Sequence, residues 1–371
     1  MTDILKKLTI STSNGKITAP QIVLAAAVSV ITLLSPRFLS NYRLNLVISI
    51  LSAAYFAQCW NLMSGYTGQF SFGHAAFYGL GAYTSSILAV DFKINPWIGL
   101  VCGMLAAGIV AAGIGYLSFH YNLKGDYFAL ATMAFCEILR VIFKNTKALH
   151  AASGVSITYS KHISQLQFGS KAGFLYAAFV MLAAITFFMY KIRRTRMGLY
   201  FVAIRENEDA AKALGINAFK YKMTALIASA MLSAVGGTFY AQYYLYIDPN
   251  IAFSSTVSVS AITPCIIGGV GTVFGPIIGA AIIEPVSELT NSLLSHYVGM
   301  NMVVYGLILV AVIMIMPKGV IGLVQDLRNR LTGTSAADED GSGIRSGKKT
   351  VRMPAAKISS GSRAADKGAE V

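Results

Sequence analysis

Long apolar runs without charge alternate with short polar stretches along this chain of 371 residues. One such run, residues 44–63, is twenty residues long, and a helix of that length crosses about 30 Å of hydrocarbon. Comparable runs lie at residues 17–34, 97–119, 172–190, 223–247 and 297–316. The pattern predicts an all-α polytopic membrane protein.

Other segments are apolar but interrupted. Residues 64–90 are rich in glycine and hydroxyl groups. Helix-breaking backbone at membrane depth survives only where it lines a cavity or is buried in protein, so we expect a broken or re-entrant segment. Residues 251–283 contain Pro264 and several glycines, which favours two half-length or strongly bent helices that meet at residues 268–271. With residues 125–143 as a further span, about ten membrane segments are expected.

Alternating crossings from a cytoplasmic N-terminus (residues 1–16) assign each polar stretch to one side of the membrane. Residues 144–171 fall outside the cytoplasm, whereas the charged interval 191–222 falls inside it. The excess of Lys and Arg in that interval agrees with the basic character of cytoplasmic loops. Residues 17–323 are thus predicted to form the transmembrane domain, and the polar residues 331–371 a disordered cytoplasmic tail.

The charged interval contains a predicted short helix. Asn207 is a suitable N-cap, two acidic residues follow it, and Gly215 provides the stop. A helix of this length is not stable alone in water. It must therefore dock either on the membrane body of this chain or on a soluble partner.

Composition narrows the class of protein. Hydrophobic residues make up 55% of the chain and charged residues 12%, whereas soluble domains carry about 25% charged residues. The net charge of +14 comes from Lys and Arg at the ends of apolar runs and in the tail, which indicates juxtamembrane charge rather than nucleic-acid binding. The four cysteines have no Cys-x-x-Cys spacing and are expected to be buried small hydrophobic residues.

Motifs of catalysis are missing from the sequence. It has no His-Glu-x-x-His, no Gly-x-Ser-x-Gly and no Gly-x-Gly-x-x-Gly that opens a helix. We therefore expect no catalytic residues, no metal site and no cofactor. The phosphate-binding pattern Gly-x-x-x-x-Gly-Lys-Ser/Thr is also missing, so any use of ATP must take place on another polypeptide.

Ionisable side chains inside apolar segments are candidates for function because their burial is costly. Glu137 and Arg140 lie three apart on one helical face, which fits a structural ion pair in the bundle interior or, alternatively, part of a polar path. His74 fits a hydrogen-bonded packing residue, with ligand contact as the alternative. Glu284 and Glu288 lie at a span end and are expected to be interfacial.

The glycine-rich stretch at residues 65–81 has the stronger claim to a translocation path. Its small, amide and hydroxyl side chains can offer neutral hydrogen bonds to a moving solute without holding it tightly. Together with the ionisable pair and the late glycines, the predicted path residues are Gly65, Tyr66, Gly68, Gln69, Ser71, Gly73, His74, Glu137, Arg140, Gly268, Gly269 and Gly271.

Several motifs occur in an order typical of a known family. They are residues 61–83 (NLMSGYTGQFSFGHAAFYGLGAY), 124–140 (KGDYFALATMAFCEILR), 198–217 (GLYFVAIRENEDAAKALGIN) and 267–280 (IGGVGTVFGPIIGA). Over roughly residues 41–323 the chain resembles the LivM-type inner-membrane permeases of bacterial branched-chain amino acid ABC importers.

This resemblance implies a multi-pass subunit of the bacterial inner membrane, surrounded by lipid. Its partners would be a second, homologous permease subunit, two ATP-binding subunits and a periplasmic substrate-binding protein, and its substrate an amino acid. The charged loop would be the coupling loop that seats in the ATPase. Its predicted ATPase-coupling residues are Arg205, Glu206, Asn207, Glu208, Ala210, Ala211, Leu214 and Gly215.

Two departures from the family pattern affect the expected substrate. Residues 148–154 replace a Thr-Gly-Gly-like turn, and residues 263–265 (Thr-Pro-Cys) replace an aliphatic run. A urea or short-amide ABC permease shares the motifs and remains an alternative. An ion-coupled secondary transporter is a second alternative, for which Glu137 would be the proton-binding acid.

Overall fold

The structure is a computed structural model that describes residues 40–160, 162 and 165–293, together with Pro36 and scattered positions between 303 and 322. The predicted span 17–34 lies outside the described residues except for its flank at Pro36, and so do both predicted cytoplasmic termini. The predicted last span, 297–316, is described only at isolated positions.

Helices dominate the described part of the chain. In chain order they are α1 (Asn41–Trp60), α2 (His74–Val90), α3 (Pro96–His120), α4 (Asp126–Asn145), α5 (Lys171–Arg193), α6 (Arg196–Glu206), α7 (Glu208–Ala213), α8 (Ala218–Tyr244), α9 (Pro249–Ala252), α10 (Ser255–Gly268) and α11 (Gly275–Leu293). A π-helical turn, Asn61–Gly65, extends α1, and 3₁₀ turns occupy Lys147–Leu149 and Ala151–Ser153.

A short β-ladder departs from the all-α prediction. Strand β1 (Val155–Ser156) pairs antiparallel with β2 (Tyr246–Ile247). Strands of two residues carry no periodic pattern that a sequence could reveal. The ladder joins the polar interval after α4 to the end of α8.

Within the described residues, five segments are long and apolar enough to cross a membrane. They are Asn41–Gly65, Pro96–His120, Lys171–Arg193, Ala218–Tyr244 and Pro249–Gly268. The prediction of about ten segments is not confirmed at this level. Helix α2, at 17 residues, falls short in length, and α4 carries charges at both ends and in its middle.

Both predicted breaks are present. The helical structure after α1 ends before Gly68, and α2 begins only at His74. Side chains of neighbouring residues form hydrogen bonds with the backbone between these helices. Trp60 Nε1 donates to the Ser71 carbonyl at 2.8 Å, and Ser71 N donates to Ser64 Oγ at 3.2 Å. A turn at residues 269–274 separates α10 from α11, as the glycines predicted.

The long helices run between two ends of the bundle, named here the Gly65 end and the Asp91 end. Near the Gly65 end, Lys124 Nζ after α3 lies 3.3 Å from Asp209 Oδ1 of α7. Near the Asp91 end, His150 Nε2 lies 3.0 Å from both Asp91 carboxylate oxygens. The charged interval 191–222 and the polar interval 144–171 therefore lie at opposite ends, as alternate crossings require.

Glycines allow α2, α3 and α8 to pack backbone against backbone. A Cβ atom at Gly103 would lie 3.1 Å from Gly81 Cα, and a Cβ atom at Gly81 would collide with the Ala234 carbonyl oxygen. Gly237 is equally tight, since an added Cβ would collide with the Tyr78 carbonyl oxygen. Small residues at such contacts let helices approach closely in lipid.

We expect Gly237→Val to reduce the yield of folded protein several-fold. The added side chain must push α8 away from α2, and overpacking of this kind costs about 1–3 kcal/mol or more. Gly113→Val on α3 is the matched control, because nothing lies within 4 Å of a Cβ atom there. The yields are compared by size-exclusion chromatography in detergent, and equal yields of the two variants would contradict the packing argument.

Candidate functional site

The predicted short helix in the charged interval is α7, and its ends are those that the sequence indicated. Asn207 Oδ1 accepts hydrogen bonds from the backbone N–H groups of Asp209 and Ala210, both at 3.0 Å. Gly215 follows the helix with a φ of 83°, a left-handed conformation that favours glycine. The cap and the stop therefore define a single exposed helix of six residues.

One face of α7 docks on this chain. Ala211 is buried in a small cluster with Ile204 of α6 and Ala218 of α8. Glu208 lies 2.8 Å from Lys212 Nζ and 3.1 Å from Lys222 Nζ, and the side chains of Glu208 and Lys222 are only 9% and 2% exposed. The helix thus rests on α6 and α8 through an apolar contact and a buried ion pair.

The carboxyl group of Glu208 is held in its charged form. Burial raises its pKa, but the hydrogen bonds and charges of Lys212 and Lys222 outweigh burial, and the net pKa lies below the ordinary value of 4.5. Glu208 is therefore ionised throughout the neutral range.

The opposite face of α7 is open. Leu214 is 81% exposed, which is unusual for a leucine that ends a docked helix. Glu206, Asp209, Ala210 and Gly215 are exposed as well. The predicted coupling residues therefore divide into an inner set that holds α7 to the bundle and an outer set that faces away from it.

Arg205 belongs to the inner set, because its side chain turns toward the bundle. Its Nη1 donates to the Gly65 carbonyl at 3.0 Å, and its Nη2 donates to Glu206 Oε1 at 2.6 Å. Added Cβ atoms at Gly68 and Gly271 would meet the Arg205 side chain, at 2.8 Å from Cγ in the case of Gly68. We name Gly65, Gly68, Arg205 and Gly271 the arginine junction.

Asn61 connects two glycine segments of the junction. Its Nδ2 donates to the Thr272 carbonyl at 2.8 Å, and its Oδ1 accepts from Gly271 N at 2.8 Å. Gly271 has a φ of 75°, which positions that N–H for the contact. The junction therefore links α6, the π-turn after α1 and the turn between α10 and α11, three segments far apart in sequence.

Other predicted path residues are buried among helices. His74 Nε2 lies 2.7 Å from Ser229 Oγ and its Nδ1 lies 3.1 Å from Ser71 Oγ, so His74 is a hydrogen-bonded packing residue. Tyr66 and Gln69 are buried too, and their Oη and Oε1 atoms have no hydrogen-bond partner among the described residues. Gly73, Gly268 and Gly269 permit close backbone contacts or turns.

Glu137 and Arg140 form the predicted ion pair, with Arg140 Nε 2.9 Å from Glu137 Oε2. Arg140 Nη1 also donates to Asn250 Oδ1 at 2.9 Å. The expectation that the pair faces the bundle interior is wrong for the described chain, because the Glu137 side chain is 55% exposed. Helical spacing shows that two residues share a face but not which neighbours cover that face.

A cavity of about 250 Å³ lies among α1, α2, α5, α8, α9, α10 and α11. Its aromatic lining includes Tyr55, Phe56, Tyr78, Phe239, Tyr240 and Tyr244. Glu284 of α11 also lines it, which corrects the expectation that this residue is merely interfacial. None of the predicted path residues contributes to this lining, although Tyr78 lies within the predicted glycine-rich stretch.

Sequence reasoning missed this cavity because its residues come from seven helices and share no motif. The signal available was a cluster of tyrosines, Tyr240, Tyr243 and Tyr244, at the end of a predicted span. Such residues are common at membrane interfaces, so the cluster alone would not indicate a site.

Comparison with known proteins identifies a family of membrane permeases, in agreement with the apolar helices of the structure. Residues 42–313 match the family described as "Branched-chain amino acid transport system / permease component". The chain belongs to this family. Its members are membrane subunits of ABC transporters rather than enzymes, and ATP hydrolysis takes place in separate ATP-binding subunits.

Individual relatives cover most of the chain. It is similar to the high-affinity branched-chain amino acid transport permease LivM of Escherichia coli, at 25% identity over 75% of this chain and 70% of the relative. It is similar to LivH of Salmonella typhimurium at 25% identity over 71% of this chain and 89% of the relative. The L-arabinose permease AraH of Azospirillum brasilense is 22% identical over 57% of this chain and 61% of that protein. No solved structure matches.

Proposed function

We propose that this permease is one transmembrane subunit of an ATP-driven importer in the bacterial inner membrane. It translocates branched-chain or related amino acids by alternating access. A second related permease, two ATP-binding subunits and a periplasmic substrate-binding protein complete the assembly. The observation that carries the proposal is the double contact of the charged interval. Helix α7 presents an open face, while Arg205 donates to the Gly65 carbonyl and packs against Gly271.

The arrangement supports a mechanical role for the interval. A subunit that moves α7 also moves α6, because the two helices share the buried cluster around Ile204 and Ala211. Arg205 at the end of α6 then displaces Gly65 and the turn at Gly271. Gly65 ends the π-helical turn and Gly271 lies in the turn between α10 and α11, and hinges are found at such element ends.

Orientation follows from the same proposal. The Gly65 end faces the cytoplasm, where the ATP-binding subunits are, and the N- and C-termini lie on that side. The Asp91 end, with the polar interval 144–171, faces the periplasm and receives the binding protein. The predicted path residues then lie mainly between the arginine junction and His74, on the cytoplasmic side of the aromatic cavity.

Reconstitution tests the proposal directly. The permease pair, the ATP-binding subunits and the cognate binding protein are placed in liposomes, and uptake of radiolabelled leucine is measured. We expect uptake only when ATP and the ATP-binding subunits are both present. Leucine uptake by the permease pair without ATP-binding subunits would exclude the proposal and favour an ion-coupled transporter.

The substrate alternatives are separated by the binding protein. Calorimetry with leucine, urea and a short amide shows which class it accepts, since such a protein sets much of an importer's selectivity. Tight binding of urea and not of leucine would make this permease a urea importer subunit. For the ion-coupled alternative, the pairing of Glu137 with Arg140 is unfavourable, because Arg140 already occupies the carboxylate that would have to bind the proton.

Leu214→Asp should prevent the ATP-binding subunits from co-purifying with the permease pair. The substitution places a charge in the apolar centre of the proposed contact, which disfavours docking by several-fold or more. Phe92→Asp is the matched control, because Phe92 is 67% exposed at the opposite end. Normal co-purification of Leu214→Asp, measured by affinity pull-down, would show that α7 does not seat in the ATP-binding subunit.

A further inference from the structure

The aromatic cavity has a composition suited to a cation. Tyr240 lies with its ring 4.5 Å from that of Tyr244 and 5.8 Å from that of Tyr78, and Phe56 lies 4.7 Å from Tyr78. Ring faces attract ammonium groups, most strongly where water is excluded. These neighbouring rings are tilted against one another, and together they form a favourable wall for a primary amine.

Glu284 is the acidic side chain of the cavity lining. It is the carboxylate of the described lining, and no lysine or arginine accompanies it there. No hydrogen bond or ion pair of Glu284 is present among the described residues, whereas Glu288, one turn further along α11, accepts a hydrogen bond from Tyr42 Oη at 3.0 Å. An acid at membrane depth without a partner marks a place where a cation binds.

The remainder of the lining is apolar or weakly polar. Ile48, Ala178, Met181 and Val257 offer surface to an aliphatic side chain, and Ser49 and Ser52 offer hydroxyl groups. The volume of about 250 Å³ is below the 300–1,000 Å³ typical of drug-sized ligands, so a small solute fits better than a large one.

The cavity lies toward the Asp91 end, away from the arginine junction. Its residues on α8, Gly236 to Tyr244, form the last turns of that helix, and Tyr244 is followed directly by strand β2. Its residues on α1 begin at Ile48, soon after the helix begins at Asn41. A solute that arrives from the Asp91 end therefore meets this cavity before it reaches Gly65.

We propose that this cavity is the first substrate site within the permease, in which Glu284 binds the substrate ammonium group, the tyrosine rings of Tyr78, Tyr240 and Tyr244 flank it, and the apolar wall takes an aliphatic side chain. The inference rests on the proposed function. It requires the substrate of the cavity to be a small α-amino acid with a free amine. A neutral sugar or a deaminated acid has no group for Glu284.

Glu284→Gln tests the site in the complete assembly with its binding protein, reconstituted in liposomes. We expect initial leucine uptake at subsaturating substrate to fall about tenfold to hundredfold, because a charged hydrogen bond of about 1.5–3 kcal/mol is lost. ATP hydrolysis without substrate should stay unchanged, since Glu284 makes no contact with the arginine junction. Glu288→Gln, which removes a nearby acid outside the lining, should keep near-normal uptake.

Two further measurements separate binding from folding. Tyr244→Phe keeps the ring and should transport normally, whereas Tyr244→Leu should lose about tenfold, within the range of a desolvated cation–π contact. Equilibrium binding of radiolabelled leucine to the solubilised assembly without binding protein should be displaced by leucine amide, which keeps the amine, and not by 4-methylpentanoate, which lacks it.

The outcomes distinguish the site from the proposed function. Normal leucine uptake by Glu284→Gln, an equal loss in Glu288→Gln, or displacement by 4-methylpentanoate as strong as by leucine amide would each overturn the ammonium site while leaving the importer intact. ATP-independent uptake by the unaltered assembly would instead overturn the proposed function, and the inference with it.

Discussion

Replacement of Arg205 by alanine should abolish leucine uptake while the assembled ATP-binding subunits continue to hydrolyse ATP. The guanidinium group of Arg205 connects the coupling interval to the Gly65 carbonyl and packs against Gly68 and Gly271. A hydrogen bond from a charged donor to a backbone carbonyl contributes about 1.5–3 kcal/mol. We expect the larger effect to be the loss of the mechanical connection, because no other contact of α6 with the Gly65 carbonyl is present among the described residues. We expect uptake to fall at least about tenfold.

The measurement is the number of leucine molecules imported per ATP hydrolysed. Arg196→Ala, at the start of the same helix, is the matched control because Arg196 is exposed and makes no contact with the glycine segments in the described structure. Arg205→Lys should recover only part of the coupling, since lysine carries one donor group where arginine presents a planar fork. If Arg205→Ala imports as many molecules per ATP as the unaltered permease, the junction does not transmit the motion.

Glu208→Ala should loosen α7 and lower the thermal stability of the permease. Its removal leaves Lys222 as a buried charge without its main partner, and breaking a buried pair from one side costs about 3 kcal/mol. The family resemblance places Glu208 among the predicted ATPase-coupling residues. Because Glu208 faces inward, we expect both coupling and local stability to be lost.

A double-mutant cycle with Lys222→Met isolates the pair. The double variant Glu208→Leu, Lys222→Met should recover most of the lost stability, since an apolar pair of similar volume is often neutral. Thermal midpoints in detergent report the result, and Lys212→Met serves as the control because Lys212 is largely exposed. A double variant as unstable as Glu208→Ala would show that the charge of Lys222 is not the source of the loss.

The stability of the permease should fall at acidic pH because of Glu208. The pKa of Glu208 is lowered by folding, so its contribution to stability is complete above its unfolded value and disappears as the pH falls through the folded value, below 4.5. Unaltered permease should therefore lose stability in this acidic window, and Glu208→Gln should show a weaker dependence there.

The sequence correctly predicted features that depend only on neighbouring residues in the chain. Asn207 and Gly215 bound α7 because a cap and a left-handed glycine act on their immediate neighbours. The glycines after α10 end that helix for the same reason. The family was recognisable as well, since its motifs are continuous stretches and residues 42–313 match it.

Relations between distant segments could not be read in this way. Arg205 was predicted as an ATPase-coupling residue, and the sequence did not indicate the contact of its Nη1 with the Gly65 carbonyl oxygen, 3.0 Å away and 140 positions distant in the chain. Glu137 was placed in the bundle interior and is half exposed, and Glu284 was placed at an interface and lines a cavity. For Glu137 and Glu284 the sequence did not indicate which neighbours lie around the side chain.

The sequence by itself determined the class of protein, its mainly helical character, both breaks, the short helix α7 and the family. The length of an apolar run, the capping residues of a helix and the backbone freedom of glycine are properties of consecutive residues, so they can be predicted from the sequence. The tertiary structure alone decided which face of each helix is covered, that Arg205 joins two glycine segments, and that tyrosines from three helices surround Glu284. Those arrangements depend on how helices pack against one another, and packing is a property of the whole bundle.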